Sequence, residues 1–172
     1  MFLNVQELLL RNLPIAEVYA PGVIDYFDAH LRQVSDLVVT GIAELRQATM
    51  EIVVRGRLEV LMEADCDRCL EAARFPISLD FDLIYRPLPD TMPEEVVLSP
   101  EETEIAFYRG LGIELEDVVR EQVLLALPMR RLCHPECRGI CPVCGENRNV
   151  VNCQCQSQWV DDRWAVLRNF VR

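Results

Sequence analysis

Five cysteines lie within nineteen residues in the stretch CRGICPVCGENRNVVNCQC, which runs from Cys137 to Cys155. Thiols this close together serve a disulfide framework, a redox centre or a metal site. A chain of 172 residues that is 51% hydrophobic can fill a core without covalent staples. Residues 1–14 lack the basic segment, the long apolar run and the cleavage site of a secretory signal. We therefore expect a soluble cytoplasmic protein whose cysteines are reduced.

The last four cysteines have the spacing of a zinc knuckle followed by a second pair. Cys141-Pro-Val-Cys144 allows two thiolates to reach one ion from a tight turn, and Gly145 can adopt the positive φ that such turns often require. Cys153 and Cys155 share one side of an extended segment because alternate residues point the same way. These four thiols predict one tetrahedral shell.

The remaining four cysteines also form pairs. Cys66 and Cys69 make a second CxxC, and Cys133 and Cys137 come shortly after a predicted helix. If the segment with Cys66 packs beside the end of that helix, these thiols form a second complete set. The sequence therefore predicts one or two Zn²⁺ ions in shells closed by sulfur, which is typical of structural sites.

Other arrangements of these cysteines remain open. One shell could instead contain Cys137, Cys141 and Cys144 with either Cys153 or Cys155. His134 lies among the thiols and could replace one of them. A redox dithiol is a further alternative for a CxxC, although the predicted elements around Cys66 lack the βαβ context of such enzymes.

Hydrophobic periodicity predicts an α+β fold built on an antiparallel β-sheet. Residues 34–45 and 49–63 are rich in β-branched side chains, and residues 75–85 alternate apolar with polar positions. The second and third of these segments would pair as a hairpin with Cys66 and Cys69 near its tip. The hairpin-rich sheet could also curve into a barrel-like form.

Two helices are expected to flank the sheet. Asn4, with Glu7 three residues later, predicts the start of a short N-terminal helix. Residues 114–127 have an amphipathic pattern that stops before Pro128, whereas the proline-rich acidic stretch 86–104 predicts a long loop. We expect an α+β core domain at 1–128, a cysteine-rich zinc-binding segment at 129–158 and a helical tail at 159–172 that docks on the core.

The charge of the chain restricts where it could touch a nucleic acid. The formal net charge of −11 disfavours general binding to polyanions. Residues 129–148 nevertheless contain four arginines against two glutamates. Arg130, Arg131 and Arg138 are therefore candidates for a local contact with RNA phosphates, although they could equally offset nearby thiolate charge.

The order of these motifs resembles the YceD family of large ribosomal RNA subunit accumulation proteins. The resemblance is carried by the following segments: CDRCLE at 66–71, LALP at 125–128, CRGICPVCGEN at 137–147 and RWAVL at 163–167. It implies a non-enzymatic role in the accumulation of 23S ribosomal RNA, with precursor RNA or a large-subunit assembly intermediate as the partner. The alternatives are a zinc-dependent protein–protein adaptor without RNA contact and a thiol redox protein.

Overall fold

The structure is a computed structural model, and it describes residues 1–89 and 105–155. Its elements in chain order are β1 (Phe2–Asn4), α1 (Val5–Leu8), β2 (Leu13–Tyr19), β3 (Leu31–Gln33), β4 (Leu37–Arg46), β5 (Glu51–Asp65), β6 (Ala72–Pro87), β7 (Ile105–Tyr108), β8 (Gly112–Glu114) and α2 (Leu115–Leu125). Two expectations lie outside these residues: the loop over 90–104 and the helical tail 159–172.

A six-stranded sheet is the main element of the fold. The strand order is β2-β4-β5-β6-β7, and β3 pairs with β5 beside this path. Strand β4 is antiparallel to both β2 and β5, whereas β7 runs parallel to β6. Only six residues, 66–71, connect β5 to β6. Because so short a connection cannot cross over to a parallel neighbour, these two strands form the predicted hairpin.

The expected barrel-like closure is wrong. Among the described residues, β2 and β7 stand at opposite ends of the strand order, so the sheet is open rather than a closed barrel. The parallel partner of β6 also makes the sheet mixed, where a purely antiparallel sheet was expected. Residues 105–108 are too few to show a clear period of two, which is why the sequence did not reveal β7.

Alternating burial along the strands creates one apolar face. In β5, Leu58, Val60 and Met62 are buried, and in β6 the buried positions include Ile77 and Phe81. Glu59, Ser78 and Asp80 lie between these positions and are exposed. The predicted period of two is confirmed in both strands, and it directs their apolar side chains into one core.

Helix α2 packs four side chains into this core: Leu115, Val118, Val119 and Val123. Its first turn contains Glu116 and Asp117, which stabilise the positive end of the helix dipole. The predicted helix at 114–127 is confirmed within a few residues. Neither α1 nor α2, the helices of the described residues, is long and apolar enough to cross a membrane.

The N-terminal helix is shorter than its apolar run suggested. The Asn4 side chain accepts a hydrogen bond from the Gln6 amide at 2.8 Å, so Asn4 is the N-cap as predicted. Glu7 instead pairs with Arg11 one turn later. The preceding strand β1 pairs with β8, whose residues are far away in the chain.

Contacts divide the chain into two compact units. The first contains Met1–Ala64 with Arg74–Met129, and the second contains Asp65–Ala73 with Arg130–Arg172. The tip of the β5–β6 hairpin therefore belongs to the same unit as the cysteine-rich segment.

Candidate metal centre

The sulfur atoms of all eight cysteines collect in two groups of four in the second unit. The first group contains Cys66, Cys69, Cys133 and Cys137, and the second contains Cys141, Cys144, Cys153 and Cys155. Within each group, every Sγ atom lies within 4.8 Å of the others. No disulfide joins any of these eight cysteines. In this geometry Cys137 lies with the first group and not with Cys141 and Cys144.

A tight turn presents the first CxxC. The Leu70 amide donates to the Cys66 carbonyl at 3.0 Å, and the Cys66 amide donates to the Glu71 carbonyl at 2.8 Å. Leu70 has φ = 63°, the left-handed conformation that a residue with a Cβ rarely adopts. The turn brings Cys66 and Cys69 to the same point.

The second CxxC forms the same turn with the same two backbone hydrogen bonds. The Gly145 amide donates to the Cys141 carbonyl at 2.9 Å, and the Cys141 amide donates to the Glu146 carbonyl at 2.9 Å. Gly145 has φ = 77°, which confirms the positive φ predicted for it. The two segments CDRCLE and CPVCGE are thus two copies of one knuckle. This equivalence was not apparent from the sequence, because Leu70 in the first copy occupies the position of Gly145 in the second.

Backbone N–H groups stabilise the first thiolate of each knuckle. Burial opposes ionisation of Cys66, but hydrogen bonds from backbone N–H groups, including those of Arg68 and Cys69, outweigh it and lower its pKa to about 6. The backbone N–H groups of Cys144 and Val143 likewise lower the pKa of Cys141 to about 6. Each knuckle therefore prepares an anionic sulfur, the form that binds metals.

The partner thiols shift in the opposite direction. Burial and hydrogen bonding to neighbouring thiols raise the pKa of Cys133 to about 12. Hydrogen bonding to Cys144, followed by burial, raises the pKa of Cys155 to about 12. Four sulfurs this close cannot all be anionic without a cation between them, so the protons are shared unequally. A divalent ion would remove this repulsion.

Both groups fit a zinc ion. Four sulfurs at a Zn–S distance of about 2.3 Å in a tetrahedron are separated by about 3.8 Å. The Cys66 and Cys137 sulfurs are 3.8 Å apart, and those of Cys69 and Cys133 are 3.5 Å apart. The donor set is entirely sulfur, which suits zinc better than magnesium or calcium.

Polar contacts lock the first knuckle to the segment that follows α2. The Asp67 amide donates to the Arg131 carbonyl at 2.8 Å, and the Arg131 amide donates to the Asp67 carboxylate at 2.6 Å. The Arg68 guanidinium donates to the Cys137 carbonyl at 2.7 Å, and its own carbonyl accepts from the Ile140 amide at 3.0 Å. These bonds bring Cys66 and Cys69 to cysteines that follow them by more than sixty residues.

Asn149 supports the first group from the loop of the second knuckle. Its side-chain amide donates to the Cys137 sulfur at 3.3 Å, and its side-chain oxygen accepts from the Arg138 amide at 2.7 Å. Burial opposes ionisation of Cys137, but this amide and the Gly139 N–H outweigh it and lower its pKa. This role could not be predicted from local spacing, because Asn149 is twelve residues from the sulfur it contacts.

The two groups differ in their access to water. Cys66, Cys69 and Cys137 are buried, whereas Cys144 and Cys155 are exposed. His134, the alternative ligand, is exposed and belongs to neither group.

The predicted RNA-contact arginines belong to the second unit as well. Arg130 and Arg138 are exposed, and Arg131 is half-buried. The backbone of Arg131 is held by Asp67, and the backbone of Arg138 is held by Asn149. The side chains of Arg131 and Arg138 therefore start from hydrogen-bonded backbone positions close in sequence to cysteines of the first group.

Comparison with known proteins places the chain in a family. The model of the family described as "Large ribosomal RNA subunit accumulation protein YceD" matches residues 54–171. The chain belongs to the YceD family. The match covers both knuckles and the arginine-containing segment, so the resemblance read from the motifs is confirmed.

The chain is also similar to proteins of two bacteria. The uncharacterized protein Rv2926c of Mycobacterium tuberculosis is 29% identical over 116 residues, which cover 67% of this chain and 54% of that protein. The chain therefore matches about half the length of this relative. The uncharacterized protein YlbN of Bacillus subtilis is 23% identical over 174 residues, or 98% of this chain and 94% of the relative. No solved structure matches the chain significantly.

Proposed function

We propose that this member of the YceD family is a non-enzymatic zinc-binding factor for the biogenesis of the large ribosomal subunit. It would support accumulation of 23S ribosomal RNA by binding precursor RNA or an assembly intermediate. The proposal that the protein binds zinc is supported by the convergence of eight cysteines into two groups of four. The proposed role in ribosome biogenesis is supported by the description of the family.

The role we propose for the zinc is structural. A tetrahedral shell of four sulfurs leaves no position for water or a substrate, so it stabilises the fold rather than catalysing a reaction. The first group joins segments of chain separated by more than sixty residues, and the second fixes a short loop. Bound zinc would thereby hold the arginine-containing segment in one conformation.

Arg130, Arg131 and Arg138 are our candidates for the RNA contact. The planar guanidinium can bond two phosphate oxygens at once, and a metal-held backbone presents it with little ordering cost. The strongly acidic composition of the whole chain means that such a contact has to be local.

The test combines zinc counting with RNA association. Replacing Arg130, Arg131 and Arg138 together with Gln should weaken association with ribosomal RNA or precursor particles and reduce its dependence on salt, without loss of zinc. The control replaces Arg11, Arg55 and Arg57, whose exposed ion pairs contribute little to stability. Equal association of both triple variants would refute the assigned contact.

The second candidate function is a zinc-dependent protein–protein adaptor. The observation in its favour is the net charge of −11, which suits a basic protein partner better than RNA. Crosslinking in cells followed by sequencing of bound RNA separates the two functions. Recovery of ribosomal RNA supports direct binding, whereas recovery of protein crosslinks alone supports the adaptor.

A further inference from the structure

A groove in the first unit lies against β1, the end of β6, β7, β8 and helix α2. Its volume is about 340 Å³, which is in the range of small ligand pockets. Aromatic and acidic side chains line it together: Phe2, Tyr85, Phe107, Glu114, Asp117 and Glu121. All six belong to the first unit, so the groove is separate from the cysteine groups.

The aromatic side chains are more exposed than is usual for phenylalanine. Phe2 has 41% of its surface exposed and Phe107 has 43%. An aromatic ring attracts a cation to its face, because the face carries the negative part of the ring quadrupole. Two such rings in one groove offer a site for a lysine or arginine side chain.

The acidic side chains come from one side of α2 and its N-cap. Glu114, Asp117 and Glu121 are three and four residues apart, a spacing that places them on one face of the helix. Asp117 already pairs with Arg120 at 2.6 Å. Among the described residues, the side chains of Glu114 and Glu121 form no ion pair or hydrogen bond. Arg109 is the one basic residue of the described lining, so the carboxylates outnumber it.

The raised pKa of Tyr85 reflects the negative potential of the groove. Burial raises the pKa of its hydroxyl, and the carboxylates of Glu121 and Asp117 raise it further. Charges that hinder formation of a phenolate stabilise a cation at the same place. They also repel the phosphates of a nucleic acid.

We propose that this groove binds a lysine- or arginine-containing segment of a partner protein. Its positive side chain would lie against Phe2 and Phe107 while Glu114 and Glu121 neutralise it. The inference goes beyond the proposed function, since it assigns a protein-binding surface to the unit that lacks the cysteines.

The direct test is binding of a fluorescein-labelled peptide in which lysine and arginine alternate with glycine. Fluorescence anisotropy on the full-length, zinc-loaded protein should show binding that weakens with salt, and no binding of the same peptide with glutamine at the basic positions. Replacing Glu114 and Glu121 with Gln should weaken binding about tenfold. Phe107→Ala should weaken it as well.

A charge-matched control separates the groove from the general acidity of the chain. Asp36→Asn with Glu136→Gln removes the same charge from exposed positions outside the groove and should leave peptide affinity unchanged. Equal weakening in both double variants, or no peptide binding by the wild type, would overturn the proposal. Binding of single-stranded RNA that depends on Phe107 but not on the glutamates would also overturn it. The number of bound zinc ions is expected to stay the same in every variant. A protein that does not bind the peptide would therefore leave the proposed zinc binding unaffected.

Discussion

Substitution of Gly145 by alanine isolates the contribution of the knuckle turn to metal binding. Gly145 has φ = 77°, and a Cβ built on it meets no atom within 4 Å. The substitution therefore creates no steric clash, and its cost arises from the backbone conformation alone. We expect a variant that folds but holds zinc less tightly in the second group.

The magnitude follows from two opposing terms. A left-handed conformation costs a residue with a Cβ about 1–2 kcal/mol. Alanine also restricts the unfolded chain, which offsets about 0.4–1 kcal/mol of that cost. The net loss of about 1 kcal/mol corresponds to about a fivefold lower zinc affinity. Leu70 adopts φ = 63° in the equivalent turn, which indicates that the turn can form at this cost.

Competition with a chromophoric chelator measures this change. A Cys69→Ser background leaves the second group as the remaining complete set, so its affinity can be read separately. Gly22→Ala is the matched control, because Gly22 has φ = 86° in the first unit and also meets no atom within 4 Å. Unchanged affinity in Gly145→Ala, or an equal loss in Gly22→Ala, would refute the role of the turn.

Two further predictions concern polar contacts. Asn149→Ala removes the hydrogen bond to the Cys137 sulfur and should speed zinc release from the first group in a chelator assay; an unchanged rate would contradict the supporting role of Asn149. Glu51 is buried beside Arg86 and Arg46. Burial raises the pKa of the Glu51 carboxyl, but hydrogen bonds from the two arginines outweigh this effect and lower the pKa. Glu51→Gln should therefore destabilise the protein by about 1–3 kcal/mol at neutral pH. The difference from wild type should shrink as the pH falls below 4.5, the ordinary value, towards the lowered pKa. Urea titration across pH checks this, and a difference that is constant with pH would contradict it.

Local patterns predicted the strands and helices whose residues contact near neighbours in sequence. Strands β5 and β6 each bury one face, and this produces their period of two. Helix α2 also buries one face, and this produces its amphipathic pattern. The pairing of β1 with β8 and of β6 with β7 depends on short strands distant in sequence, where no periodicity can accumulate. The closure of the sheet depends on the same long-range contacts, so the expected barrel could not be tested by pattern alone.

The candidate site followed from spacing only in part. The pairs of cysteines were visible because a CxxC is itself a local turn. The equivalence of Leu70 and Gly145 was not visible, since leucine gives no sequence signal for a positive φ. The contacts of Arg68 and Asn149 were missed for a different reason, because both residues bond Cys137, which is 69 residues from Arg68 and belongs to the other cysteine group from the loop that contains Asn149.

The zinc content of the purified protein tests the central claim most directly. Native mass spectrometry of the full chain should show two zinc ions, and Cys69→Ser and Cys144→Ser should each lower the count to one by emptying different groups. The double variant should contain none. A folded wild-type protein without metal, or single variants that both keep two ions, would contradict the account.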